Sequence, residues 1–268
     1  MPYLSPTEID RFRDTGILPL REAFPRAAAL HIQERIWDEL ENASPLRRDD
    51  PATWRLAAHW RVSEIIAPAF AAIQSPRLTA AMSELLGTAA WSYPRHWTHG
   101  LLASPPDPAT TPWRITTAAG ARTAWHWDGK WTSPQDGLWF LPLYGQIGHR
   151  GGGTMLVAGS SRLLNRFYAG LSAKERQASQ GHLRQRFLAS HPYLRVLAGI
   201  DPAADDRLDF LAPQRDADGQ ELQVLEASGE PGDVWLTDPH VLHAKPVHHG
   251  PRPRFLSIRG VTLIPGSC

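Results

Sequence analysis

The chain reads as a mainly β protein flanked by helices. Three observations predict that class. From residue 137 onward, short apolar runs bounded by glycines recur: GLWFLPLYG, GGTMLVAG, ELQVLEASG, GDVWLTD and RFLSIRGVTLI. Runs of this length and punctuation are how buried strands read. The first ninety residues instead carry capped helical patterns. No repeat, low-complexity tract or linker divides the 268 residues, so residues 1–268 are read as a single domain with one substantial core. Short strands joined by Gly and Pro turns close into a sandwich or barrel.

The elements follow in order. LSPTEIDRFRDTG is a short helix: Ser5 is a good N-cap, Pro6 suits the first helical position, Glu8 completes a capping box, and Gly16 ends it. ILPL is a strand. PRAAALHIQERIWDELE is a second helix with Leu30, Ile36, Trp37 and Leu40 on or near one face, and SPRLTAAMSELLG a third, closed by Gly87. Residues 1–90 are thus the helical part. Residues 160–220 interrupt the strands, with LSAKERQASQGHLRQRFLASH helical and DPAADDRLDFLAPQRDADGQ a loop. A connection this long is read as a lid insertion, and its Arg- and Gln-rich helical part is expected to pack weakly and move.

Composition bounds the function. Hydrophobic residues make up 42%, with 11 Trp, which is enough apolar surface for a folded globule. Basic and acidic residues balance, 28 against 27, so no overall field favours nucleic acid or a membrane surface. The one cysteine, Cys268, excludes an intrachain disulfide and thiolate metal sites, leaving His and carboxylates as metal ligands. MPYLSPTEIDRF has no signal-peptide pattern, and no apolar run approaches the roughly 18 residues of a membrane span, so a cytoplasmic protein is expected. Nothing in the sequence speaks to oligomeric state.

TAWHWDGKW, residues 123–131, sets His126 and Asp128 two residues apart among Trp125, Trp127 and Trp131. A buried carboxylate or imidazole is costly unless paired, hydrogen-bonded or bound to metal. On a strand, residues i and i+2 share a face, so both side chains can reach one ion. Two histidines and a carboxylate on one face of an octahedron form the triad of non-haem Fe(II) oxygenases. The third ligand must then be a downstream histidine. His240, His243, His248 and His249 are the candidates; His243 lies beyond Pro239 near the end of the GDVWLTD strand, and Arg254 follows eleven residues later. An arginine there can hold a carboxylate bidentately.

With these residues in place, the chain resembles the phytanoyl-CoA dioxygenase family of Fe(II)/2-oxoglutarate-dependent oxygenases. The resemblance rests on four blocks in order: LSPTEIDRFRDTGILPL, His126-Trp127-Asp128, GLWFLPLYGQIGHRGGGTMLVAGSSR, and GDVWLTDPHVLHAKP with Arg254 beyond it. It implies a double-stranded β-helix, the cupin-like jelly roll. It implies that His126, Asp128 and His243 bind Fe(II), and that Arg254 pairs with the distal carboxylate of 2-oxoglutarate. The implied activity is a dioxygenase, an oxidoreductase of secondary metabolite biosynthesis that consumes O2 and 2-oxoglutarate. It hydroxylates a small organic metabolite and releases succinate and CO2. Desaturation, epoxidation or ring formation are alternatives, as is a non-catalytic jelly-roll binding protein. Halogenation is disfavoured, because halogenating relatives carry a small residue where Asp128 stands. The chain departs from the family at Ala244-Lys245, where Gly-Ser often follows the distal histidine, and at Ala158-Gly159-Ser160-Ser161.

Other residues are weighed beside these. Trp125, Trp127, Trp139 and Trp235 are read mainly as packing. Trp131, after the metal turn, is the candidate for the substrate wall. Arg122, on the same strand face as His126 and Asp128 if that strand is regular, is a candidate for an anionic substrate group. His248 and His249 are read as solvated loop residues, and Arg252 and Arg259 as poorer partners for a carboxylate than Arg254.

Overall fold

The computed structural model describes residues 2–56, 60, 62, 64–97, 101–118, 121–128, 137–201, 203 and 207–264. Helix α1 (Pro6–Thr15) forms as its sequence pattern requires. Ser5 Oγ accepts from Glu8 N at 3.2 Å, the Glu8 carboxylate accepts from Ser5 N at 2.8 Å, and Gly16 closes the helix at φ +74°. Strand β1 (Ile17–Leu20) leads into α2 (Arg26–Ala43). This helix buries Ala29, Ile32, Ile36, Trp37 and Leu40, whereas Leu30, expected on the same face, is 39% exposed. At about 100° per residue, Leu30 falls at the edge of the stripe, about 120° from Ile36 and about 100° from Ala29, and one turn from the helix start. Ala29, Ile32, Ile36 and Leu40 lie within about 80° of one another. Two 3-10 segments, Pro51–Arg55 and Glu64–Ile73, precede α3 (Pro76–Leu86), capped by Ser75 and ended by Gly87.

The strands are β2 (Trp91–Ser92), β3 (Leu101–Ser104), β4 (Leu138–Pro142) and β5 (Met155–Ala158), then β6 (Gln214–Arg215), β7 (Glu221–Glu226), β8 (Val234–Thr237), β9 (His243–Ala244), β10 (Arg254–Ser257) and β11 (Arg259–Leu263). Between β5 and β6 lie α4 (Ser160–Ala169), α5 (Gln180–Ala189) and α6 (Pro192–Leu197). One antiparallel sheet has the order β1-β8-β4-β11-β2; facing it are a sheet of order β6-β7-β5-β9 and the pair β10-β3. The run RFLSIRGVTLI is therefore two strands: β10 pairs with β3, and after Ile258 the chain crosses to the other sheet, where β11 pairs with β4. The architecture is the double-stranded β-helix, mainly β with flanking helices.

Alternation along the strands sorts the side chains into three layers. Inside the roll, Ile17, Leu141 and Trp235 of one sheet meet Leu156 and Ala158 of the other, with Leu256 of β10. On the outer face of the five-stranded sheet, Leu138, Phe140, Val234 and Leu236 pack on Ile32, Ile36, Trp37 and Met82 of the N-terminal helices. On the outer face of the second sheet, Met155, Val157, Leu222 and Val224 pack on Leu164, Leu183, Phe187 and Leu194 of the inserted helices. The expectation of weak packing for the insertion is corrected here. Its polar residues face outward, and Leu183, Phe187 and Leu188 are enough to bury one side of α5.

Candidate metal centre

No strand forms at residues 121–128. His126 instead makes one antiparallel bridge to His243, with His126 N donating to His243 O at 2.9 Å and His243 N to His126 O at 2.7 Å. The extended segment still alternates. Trp125 and Trp127, 2% and 0% exposed, turn into the core beneath the inserted helices, and His126 and Asp128 turn the other way. Trp125 and Trp127 therefore clamp the segment to the insertion while His126 and Asp128 face the cavity. Phe187 of α5 meets Trp127 edge-on with centroids 5.7 Å apart, and Arg184 Nη2 donates to Trp127 O at 3.3 Å.

His126, Asp128 and His243 each offer a ligand atom within 4.8 Å of the others. His126 Nε2 lies 3.7 Å from Asp128 Oδ1, and His243 Nε2 lies 3.3 Å from Asp128 Oδ2. Both rings are oriented from behind: His126 Nδ1 donates to Ala124 O at 2.6 Å, and His243 Nδ1 to Val241 O at 3.0 Å. With the proton on Nδ1, each Nε2 lone pair points to the shared point, the tautomer a metal requires. Burial, and next the neighbouring His243, pull His126 below its ordinary value. Asp128 is held below the usual carboxylate range, first by its contact with His243. A neutral imidazole beside an ionised carboxylate is the donor set that a divalent cation takes, and the residues present fit it.

These side chains open on a cavity of about 330 Å³, whose wall includes Leu102, Trp139, Thr154, Lys245 and Ile258. Trp139 is thus wall rather than pure packing; it is half-buried, because β4 turns it inward beside Leu141. Lys245 keeps contact with solvent, and burial, followed by the nearby Arg254 guanidinium, pulls its amine below its ordinary value. Arg254 is 2% exposed; Nε donates to Ser104 Oγ at 2.9 Å and Nη1 to Gly152 O. Burial pulls it down to about 10. Glu226 holds the same glycine turn from the far side, accepting from Gly152 N at 3.1 Å and Gly153 N at 3.2 Å.

The other candidates fall differently. Arg122 is exposed, in a segment without the regular strand that would align it with His126. Trp131 lies outside the described residues. His248, read from sequence as solvated, is 1% exposed. Gly250 N donates to its Nδ1 at 3.1 Å and its Nε2 donates to Arg252 O at 2.9 Å, so the HHGPRP loop folds back over the ring. His240 is buried beside Asp238, away from the cavity wall. His249 is exposed. Sequence reading missed Thr154 and Arg184. Thr154 is recoverable from strand register, but Arg184 has no local signal.

No protein-family model matches the chain, and no curated protein matches it in sequence. Solved structures do match its fold. The non-heme alpha ketoglutarate dependent carbocyclase SnoK from nogalamycin biosynthesis superposes with a TM-score of 0.55 at 11% identity, covering 97% of this chain and 84% of that one. The epimerase SnoN, in complex with Fe3+, alpha ketoglutarate and nogalamycin RO, gives 0.53 at 10% identity over 98% and 90%. EctD from S. alaskensis, with 2-oxoglutarate and 5-hydroxyectoine, gives 0.51 at 17% identity over 98% and 77%. At these identities the likeness is one of fold.

Proposed function

We propose that the protein is an Fe(II)- and 2-oxoglutarate-dependent dioxygenase of the phytanoyl-CoA dioxygenase type that hydroxylates a small organic metabolite. The observation that carries the reading is the convergence of two Nδ1-anchored imidazoles and one carboxylate within 4.8 Å at the mouth of a jelly roll. The order of the sequence blocks supports the family, and the fold is shared with SnoK, SnoN and EctD. When bound, iron with 2-oxoglutarate and O2 supplies an oxidant able to attack an unactivated C–H bond, with succinate and CO2 as co-products. His126, Asp128 and His243 hold the metal on one face. Leu102, Trp139 and Ile258 keep bulk water from the reacting position. Lys245 on the wall, with the buried Arg254 close behind it, gives one end of the cavity the positive charge that an anionic cosubstrate needs.

The insertion is the proposed source of substrate selection, because α5 reaches the ligand-bearing segment through Phe187 and Arg184. No helix among the described residues is long and apolar enough to cross a membrane. The test is succinate release from 2-oxoglutarate in the presence of Fe(II) and O2. Wild-type protein is expected to release it, and His126→Ala and His243→Ala are expected to abolish it. Product mass then separates hydroxylation from desaturation, epoxidation or ring closure. Wild-type protein that neither binds nor consumes 2-oxoglutarate would instead be a jelly-roll binding protein.

A further inference from the structure

The cation that reaches the cavity wall is Lys245; among the described residues, Arg254 is not part of that wall. Arg254 sits behind it, with Nε and Nη1 committed to Ser104 Oγ and Gly152 O. Lys245 has a neighbour of the right chemistry. The β5–β9 register pairs Leu156 with His243 and Met155 with Ala244, so its next step sets Thr154 opposite Lys245. Directly paired residues of an antiparallel ladder share a face. Thr154 and Lys245 therefore stand on the same inward face as His243, and both line its cavity. Thr154 is 2% exposed, and its Oγ1 has no hydrogen-bond partner. A buried hydroxyl in that state wants an acceptor or donor from whatever fills the cavity.

The spacing also fits. Two residues along a strand span about 7 Å. A five-carbon 2-oxo diacid measures roughly 5 Å between its terminal carbons. One end at the His243 ligand position thus brings the other to the level of Lys245 and Thr154. The sequence departs from its family where Ala244-Lys245 replaces Gly-Ser, and a hydroxyl is regained across the ladder from Thr154.

We infer that Lys245 and Thr154 directly seat the distal carboxylate of 2-oxoglutarate, with Arg254 as the positioning cation behind them. This rests on the proposed 2-oxoglutarate dependence. The test uses the full chain loaded with Mn(II) and two probes, 2-oxoglutarate and pyruvate, titrated calorimetrically. Pyruvate has the same 2-oxo acid head and no distal carboxylate. Lys245→Met is expected to raise the Kd for 2-oxoglutarate about tenfold or more, and Thr154→Val about threefold or more, with the Kd for pyruvate and the Mn(II) affinity unchanged. Wild-type-like 2-oxoglutarate binding in Lys245→Met would overturn the inference and leave Arg254 as the anchor. Equal weakening of both probes would also overturn it, by making Lys245 a structural residue only. Wild-type protein that takes neither probe would fail the cosubstrate reading itself, a result distinct from either.

Discussion

His243, His240 and His248 are all buried within nine residues of chain, and only one of them faces the cavity. Their substitutions should separate cleanly. His243→Ala is expected to abolish Mn(II) binding, measured by calorimetry, with modest loss of stability. His248→Ala is expected to keep the metal but to cost about 1–3 kcal/mol in denaturant unfolding, because it removes a packed ring and strands Gly250 N and Arg252 O. Gly152 leans on that ring: it sits at φ +80°, and a Cβ there would come within 2.7 Å of the His248 side chain. His248 also gives a pH signature. Burial, and then Arg254, push it down to about 4, well below the ordinary value of about 6.5. Between those values the unfolded chain binds a proton that the native state refuses, so stability falls as pH drops from about 6.5 toward 4 and is complete above that window. Denaturation at pH 7.5 and pH 5 should show a larger loss for wild type than for His248→Gln; equal losses would place the linkage elsewhere.

At the level of elements, what could be read in advance depended on how local the cause was. The capping box and Gly16 fix α1 within twelve residues, and the glycine-bounded runs became β4, β5, β7 and β8. The two-residue strands β2 and β9 have no pattern of their own; they exist because β11 and β5 lie beside them. RFLSIRGVTLI reads as one run because the change of sheet at Ile258 leaves no mark in local hydrophobicity. The candidate metal ligands, which the structure brings together, were legible because two of them stand two residues apart and the third sits at a recognisable spacing. The insertion was the least legible: α4 went unread, and the apolar residues of α5 are few but all used. Phe187 touches both Trp127 and Phe167. Phe187→Ala should cost about 3–5 kcal/mol and weaken Mn(II) binding by loosening the segment behind His126 and Asp128. Hydrogen exchange over residues 180–189 should show strong protection with and without 2-oxoglutarate. Protection that appears only with the ligand would restore the moving lid that the sequence pattern predicts.

For the whole molecule, the candidate metal centre lies where two short pieces of chain meet. His126 and Asp128 come from a segment whose backbone pairs with the sheet through a single bridge, and His243 from a strand of two residues. Around them the two sheets and both helical layers are separately packed. An ion that joins these pieces binds the native state and has no preformed site in the unfolded chain, so it must stabilise the fold by mass action. At a free Mn(II) concentration a hundredfold above Kd the gain is about 2.7 kcal/mol. For a chain of this size that corresponds to a rise in Tm of about 5–10 °C. Thermal unfolding with Mn(II), and again after EDTA, should show the rise and its reversal in wild type and in His248→Gln, but not in Asp128→Ala. A full shift in Asp128→Ala would mean that the ion stabilises the protein from another place, and the triad would lose its role as the centre that ties the roll together.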